Sequence, residues 1–152
     1  MSCKRIQCNE IWSFCYSKAK NVPQEKQGQF GYGDIWTWTA ICAGTKLVPS
    51  WLVGGRDFAT ASIFIKDLAS RLAYRVQLTT DRHKPYLEAI EEAFGADIDY
   101  SMLIKIYGND SEGQKRYSPS QCIGADSKAI EGNPEAKHIS TSYVERQNLT
   151  TA

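Results

Sequence analysis

The stretch DFATASIFIKDLASRLAYRVQLTTD, residues 57–81, decides the fold class, because the hydrophobic period changes inside it. Phe58, Ala61, Ile65, Leu68 and Leu72 recur at the three- and four-residue intervals that line one face of an α-helix. Asp57 precedes them as an N-cap candidate, its carboxylate able to accept from the free amides of a first turn. From Arg75 the pattern becomes the two-residue alternation of a strand, with Val76 and Leu78 on one side. A helix feeding a strand needs a sheet for that strand to join, so the chain reads as α/β.

Upstream, residues 5–16, 34–42 and 46–53 are rich in β-branched and aromatic side chains. They read as three consecutive antiparallel strands. KNVPQEKQGQFGYG, residues 20–33, is then the connection of the first hairpin, or a flap. Downstream, Pro85 sits where a helix would begin, Leu87, Ile90 and Phe94 point inward, and Gly95 closes the last turn. A further strand runs through Ile98, Tyr100, Met102, Ile104 and Ile106. Residues 108–140, rich in Gly, Ser, Pro and charge, read as an insertion holding a short hairpin, and TSYVERQNL at 141–149 as a final helix. The expected order is three antiparallel strands, then αβαβ, insertion and C-terminal helix: a mixed sheet with helices on both faces.

A chain of 152 residues suits one domain spanning 1–152, and 42% hydrophobic with 23% charged residues is a globular composition. A net charge of +1 leaves no overall basic footprint, so any nucleic-acid site has to be local. No apolar run approaches the roughly 20 residues that span a bilayer, and a cytoplasmic location is the expectation. Cys3, Cys8, Cys15, Cys42 and Cys122 form an odd set without C-x-x-C spacing, which argues for reduced thiols rather than a zinc site or a disulfide framework.

Asp81 ends a central strand, where α/β sheets gather ligands; the competing reading is an N-cap for the helix starting near Lys84. Glu145 either binds a ligand or completes the S-x-x-E capping box begun by Ser142. His83 and His138 read as surface or capping histidines, and Trp36 with Trp38 as core rather than base-stacking platforms.

The segments together carry more than any one residue. NEIWSF at 9–14, GDIWTWTAI at 33–41, TKLVPSWLVG at 45–54, TTDRH at 79–83 with Tyr86-Leu87, FGADIDY at 94–100 and HISTSYVERQNL at 138–149 resemble, in order and wording, the catalytic region of bacterial insertion-sequence transposases of the DDE superfamily. The resemblance runs from about Ile6 to Leu149. It implies a ribonuclease-H-like fold in which two aspartates and a glutamate hold two Mg²⁺ or Mn²⁺ ions for DNA cleavage and strand transfer. It also implies DNA partners, the element ends and the target, and a homo-oligomeric assembly in the intact family.

Carried over by position, the catalytic and metal-binding places are Asn9, Asp81 and Glu145, with Arg82, Lys137 and Arg146 expected near DNA phosphates. Asn9 stands where the family has Asp, and an amide lacks the charge that draws a hard cation out of water. Glu10 cannot take its place without a register slip, since neighbours on a strand face opposite ways. Arg82 stands where the family commonly has Gly, and Cys42 and Gly44 where acidic residues are expected. An N-terminal DNA-binding module and a C-terminal segment are expected to be absent. The implied activity is DNA transposition, impaired in this copy and leaving weak metal binding; the alternatives are a non-catalytic remnant that binds DNA or a transposase subunit, and a ribonuclease-H-like nuclease.

Overall fold

The computed structural model describes residues 2–29, 32–107 and 122–151. Three strands open the chain: β1 (Arg5–Cys15), β2 (Gly33–Cys42) and β3 (Ser50–Gly54). The expected αβαβ run follows as α1 (Phe58–Arg71), β4 (Gln77–Thr80), α2 (Pro85–Phe94) and β5 (Asp99–Tyr107). Strand β6 (Cys122–Glu131) and helix α3 (Ser142–Thr151) complete it. The six strands form one mixed sheet in the order β3-β2-β1-β4-β5-β6. β1, β2 and β3 pair antiparallel, β4 and β5 run parallel to β1, and β6 returns antiparallel to β5.

Alternation along β1 sets the two faces. Ile6 and Cys8 enter a core with Trp38, Ala40, Phe64, Ile65, Leu68, Tyr86 and Ile90, so α1 and α2 cover that side. Gln7, pointing the other way, accepts at Oε1 from the backbone N–H of Tyr143 at 2.9 Å and of Val144 at 3.2 Å, holding the start of α3 on the opposite face. Gln7 thus does the work of a helix cap from a different strand. Trp38 is fully buried, and its indole N–H donates to the Gly55 carbonyl, so its only polar group is satisfied.

Helix α1 begins as its sequence says: Asp57 Oδ1 accepts from the Thr60 backbone N–H at 2.8 Å. The Thr60 hydroxyl first, and this backbone N–H with it, hold the Asp57 carboxyl below its usual pKa. A lowered native pKa stabilises the fold above the ordinary Asp value of about 3.9, and this is lost as pH falls through the native value. Asp57→Ala is expected to cost about 1 kcal/mol at pH 7 and much less near pH 2, read from urea midpoints at both pH values.

Three expectations need correction. Residues 122–131 are not part of a loop insertion but an edge strand of the main sheet; residues 108–121, where the rest of the expected hairpin fell, lie outside the described residues. In α2, Ile90 is buried and Phe94 packs against the core as expected, but Leu87 is exposed and Tyr86 and Ala89 take the other inward places. Cys3 and Cys42 are joined by a disulfide across 39 residues, tying the start of β1 to the end of β2, so these two are not reduced thiols. Cys8 is a free buried thiol and Cys15 a free exposed one.

Candidate functional site: a cleft where β1 and β4 part

β1 and β4 pair only from Arg5↔Gln77 to Gln7↔Thr79. Beyond that register the two strands separate, and a cleft opens at the carboxyl end of β4. Its cavity, about 350 Å³, is lined by Asn9, Arg56, Asp81, Arg82, Leu103, Ile104, Lys105 and Glu145. Asn9 comes from mid-β1, Asp81 from the residue after β4, and Glu145 from the first turn of α3. The fold therefore brings together three residues that are far apart in sequence.

Asp81 does not cap α2; Lys84 occupies that position without a side-chain cap. Asp81 Oδ1 is buried and without a hydrogen-bond partner among the described residues. Burial pushes its pKa up to about 7, assisted by the Glu10 carboxylate and opposed by the Arg56 guanidinium and the His83 backbone N–H. Glu145 does not form the expected capping box with Ser142. Its Oε1 accepts from the Thr141 hydroxyl at 2.8 Å and pairs with the Lys105 ammonium. Asn9 Oδ1 accepts from the Glu10 backbone N–H at 2.8 Å.

Glu10 confirms the alternation argument: its side chain leaves Asn9 and turns to the α1/α2 side. There its carboxylate, 1% exposed, accepts from Arg56 Nη2 at 2.9 Å and from the Tyr86 hydroxyl at 3.0 Å. Burial raises the Glu10 pKa, and these two donors counter it. His83 is half-buried: its ring packs against Trp38 and Tyr86, and burial, with the Arg56 charge, lowers its pKa to about 4. It is neutral at physiological pH.

Of the expected phosphate contacts, Arg82 lines the cavity. Lys137 does not. It lies in a 3-10 turn, Ala136–His138, near Glu135, whose backbone contacts Gln77 at the start of β4, the opposite end of the sheet. Arg146, one position past Glu145 on α3, lines a separate pocket with Ile41, Lys46, Tyr143 and Gln147. Sequence reasoning missed Arg56 and Lys105. The only local signal for Arg56 is its place after the Gly54-Gly55 pair that ends β3, and Lys105 reads simply as a polar position in an alternating strand.

The donor set bears directly on metal chemistry. One amide and two carboxylates, one of them already paired with an ammonium, supply few anionic oxygens for two divalent cations, which need several. Among the described residues no three His, Cys, Asp or Glu side chains are grouped to hold a metal ion. Cationic side chains outnumber carboxylates in the cavity, Arg56, Arg82 and Lys105 against Asp81 and Glu145. Two of these cations are already paired, Arg56 with Glu10 and Lys105 with Glu145.

Fold and cleft together define a mixed α/β domain with a polar cavity beside its central strand. No protein-family model and no curated protein matches the chain. Among solved structures, a chain of the piggyBac transposase synaptic complex with hairpin DNA is similar to it, with a TM-score of 0.40 and 13% sequence identity. The likeness covers 96% of this chain and 37% of that one. No helix among the described residues is long and apolar enough to cross a membrane.

Proposed function

We propose that this chain is a catalytic-core domain of DDE-transposase descent whose cleft accepts the DNA backbone but has lost two-metal cleavage and strand transfer. The observation that carries the reading is the meeting of Asn9, Asp81 and Glu145 in one cavity. The resemblance singles out these three positions, and they lie on β1, after β4 and on α3. Three antiparallel strands continued by two parallel ones, with helices on both faces, support a ribonuclease-H-like reading of the sheet. Under this reading Arg56, Arg82 and Lys105 hold phosphate oxygens by charge, which positions DNA without reading its sequence.

The ancestral chemistry needs both the attacking and the leaving oxygen clamped by cations, and each 1.36 kcal/mol of lost transition-state stabilisation is worth about tenfold in rate. With Asn9 neutral and Glu145 tied to Lys105, DNA nicking is expected at background. Calorimetry with Mn²⁺ tests the site: Asn9→Asp should bind more tightly than the unaltered chain, and Asn9→Asp with Lys105→Gln more tightly still. Equal affinities in all three would reject the assignment of Asn9. Strand transfer by the unaltered chain would overturn the loss of activity.

A further inference from the structure

The outer half of the β1–β2 hairpin carries a row of rings that the core does not use. Trp12, Phe14 and Tyr16 are 38%, 48% and 64% exposed, unlike Trp38 further along the same hairpin, which is fully buried. Trp12 and Phe14 share a face, with ring centroids 5.8 Å apart, and Trp12 stands directly opposite the half-buried Trp36. Cross-strand partners point to the same side, so Trp36, Trp12 and Phe14 form one continuous strip. The strip lies on the Glu10 face of β1, the face opposite Asn9, and its link to the cleft is Arg56, whose guanidinium lines the cavity and lies 4.5 Å from the centre of the Trp36 ring.

Cations accompany the rings outward. Lys18 Nζ sits 5.4 Å from the Trp12 ring centre, and Lys26 Nζ lies within 4.7 Å of Tyr16 and 5.1 Å of Tyr32, which meet edge to face. Residues 16–29 hold Lys18, Lys20 and Lys26 against the single acid Glu25, a local excess of positive charge on a nearly neutral chain. Exposed rings alone would suit a protein partner. Rings interleaved with ammonium groups suit a ligand with flat apolar faces and regularly spaced anions, which is a single nucleic-acid strand.

We propose that this hairpin strip is a base-stacking track for unpaired DNA, joined to the phosphate-holding cleft at Arg56. Bases displace the ammonium groups from the ring faces, and Lys18 and Lys26 turn to the phosphates. The direction of the track rests on the cleft accepting DNA; the stacking itself does not depend on descent from a transposase.

The test is fluorescence anisotropy with a labelled 20-nucleotide oligo(dT) in low salt and EDTA, beside a 20-base-pair duplex. Oligo(dT) is expected to bind more tightly than the duplex. Trp12→Ala and Phe14→Ala, both at exposed sites, should each weaken oligo(dT) binding about tenfold, within the range of base–aromatic stacking, while circular dichroism stays unchanged. Trp12→Phe should retain most of the affinity. Lys18→Gln should flatten the salt dependence. Unchanged affinity in both ring variants overturns the proposal. So does loss with Lys18→Gln alone, which would mean charge without stacking. Dissociation of a dimer by the ring variants at constant oligo(dT) affinity would assign the strip to contact between copies instead. Because EDTA is present, a negative Mn²⁺ result with Asn9→Asp leaves this outcome untouched.

Discussion

Leu68→Ala is expected to lower stability by roughly 2 to 5 kcal/mol, which for a chain of this size moves the thermal midpoint down by roughly 4 to 20 °C. Leu68 is 0% exposed and sits among Ala61, Phe64 and Ile65 in the layer between α1 and the sheet. Removing its isobutyl group loses the transfer free energy and leaves a void that a β-sheet on one side and a second helix on the other cannot close. Two comparisons make the result specific. Phe58→Ala, at the partly exposed start of the same stripe, should cost under about 1 kcal/mol, and Ile63→Ala on the solvent side within about 0.5 kcal/mol. Urea denaturation of the three variants checks the order. A Leu68→Ala midpoint equal to that of Ile63→Ala would show that the stripe is not core.

That stripe is also where the sequence was easiest to read, because burial on one side only leaves a period in the letters. Asp57 and Gly95 were legible for a related reason: each meets a local backbone need, a free amide for Asp57 and a left-handed φ of 57° for Gly95. β6 had no such signature. Its residues 125–129 are exposed, so nothing imposes hydrophobic alternation, and it is a strand because its backbone completes the free edge of β5. α2 misled at Leu87. Tyr86 looks amphipathic in sequence, yet its ring is core and its hydroxyl reaches a carboxylate on β1, which leaves Leu87 outside.

The candidate site divides similarly. Asn9, Asp81 and Glu145 were named from the wording of the segments around them, and strand alternation alone placed Glu10 on the far side from Asn9. The partners that set the electrostatics were not legible. Arg56, Lys105 and Tyr86 act on residues 40 or more positions away, and only the tertiary fold brings them there. Lys137 shows the converse error. A basic residue just ahead of the HISTSYVERQNL string reads as a neighbour of Glu145, but a 3-10 turn and an unstructured link carry it to the opposite end of the sheet.

Arg56→Ala is expected to cost roughly 2 to 3 kcal/mol, less than the roughly 3 to 5 kcal/mol of a fully buried pair because the guanidinium is 44% exposed while Glu10 is 1% exposed. The asymmetry of exposure determines the sign of everything that follows. Removing the exposed partner takes little from Arg56 itself, but it leaves the Glu10 carboxylate in an apolar layer with the Tyr86 hydroxyl as its remaining side-chain donor. Glu10→Gln in the Arg56→Ala background removes that stranded charge while keeping an acceptor for Tyr86, so the double variant should be more stable than Arg56→Ala alone. A double-mutant cycle then gives a coupling of about 1 kcal/mol or more, as expected for two groups in contact. Tyr86→Phe separates the hydroxyl from the ring: it should cost about 1.5 to 3 kcal/mol, the usual contribution of a hydrogen bond to a charged group, with the core packing preserved. If Arg56→Ala and the double variant unfold at the same urea concentration, Glu10 does not depend on Arg56, and the guanidinium is free to serve the cleft alone.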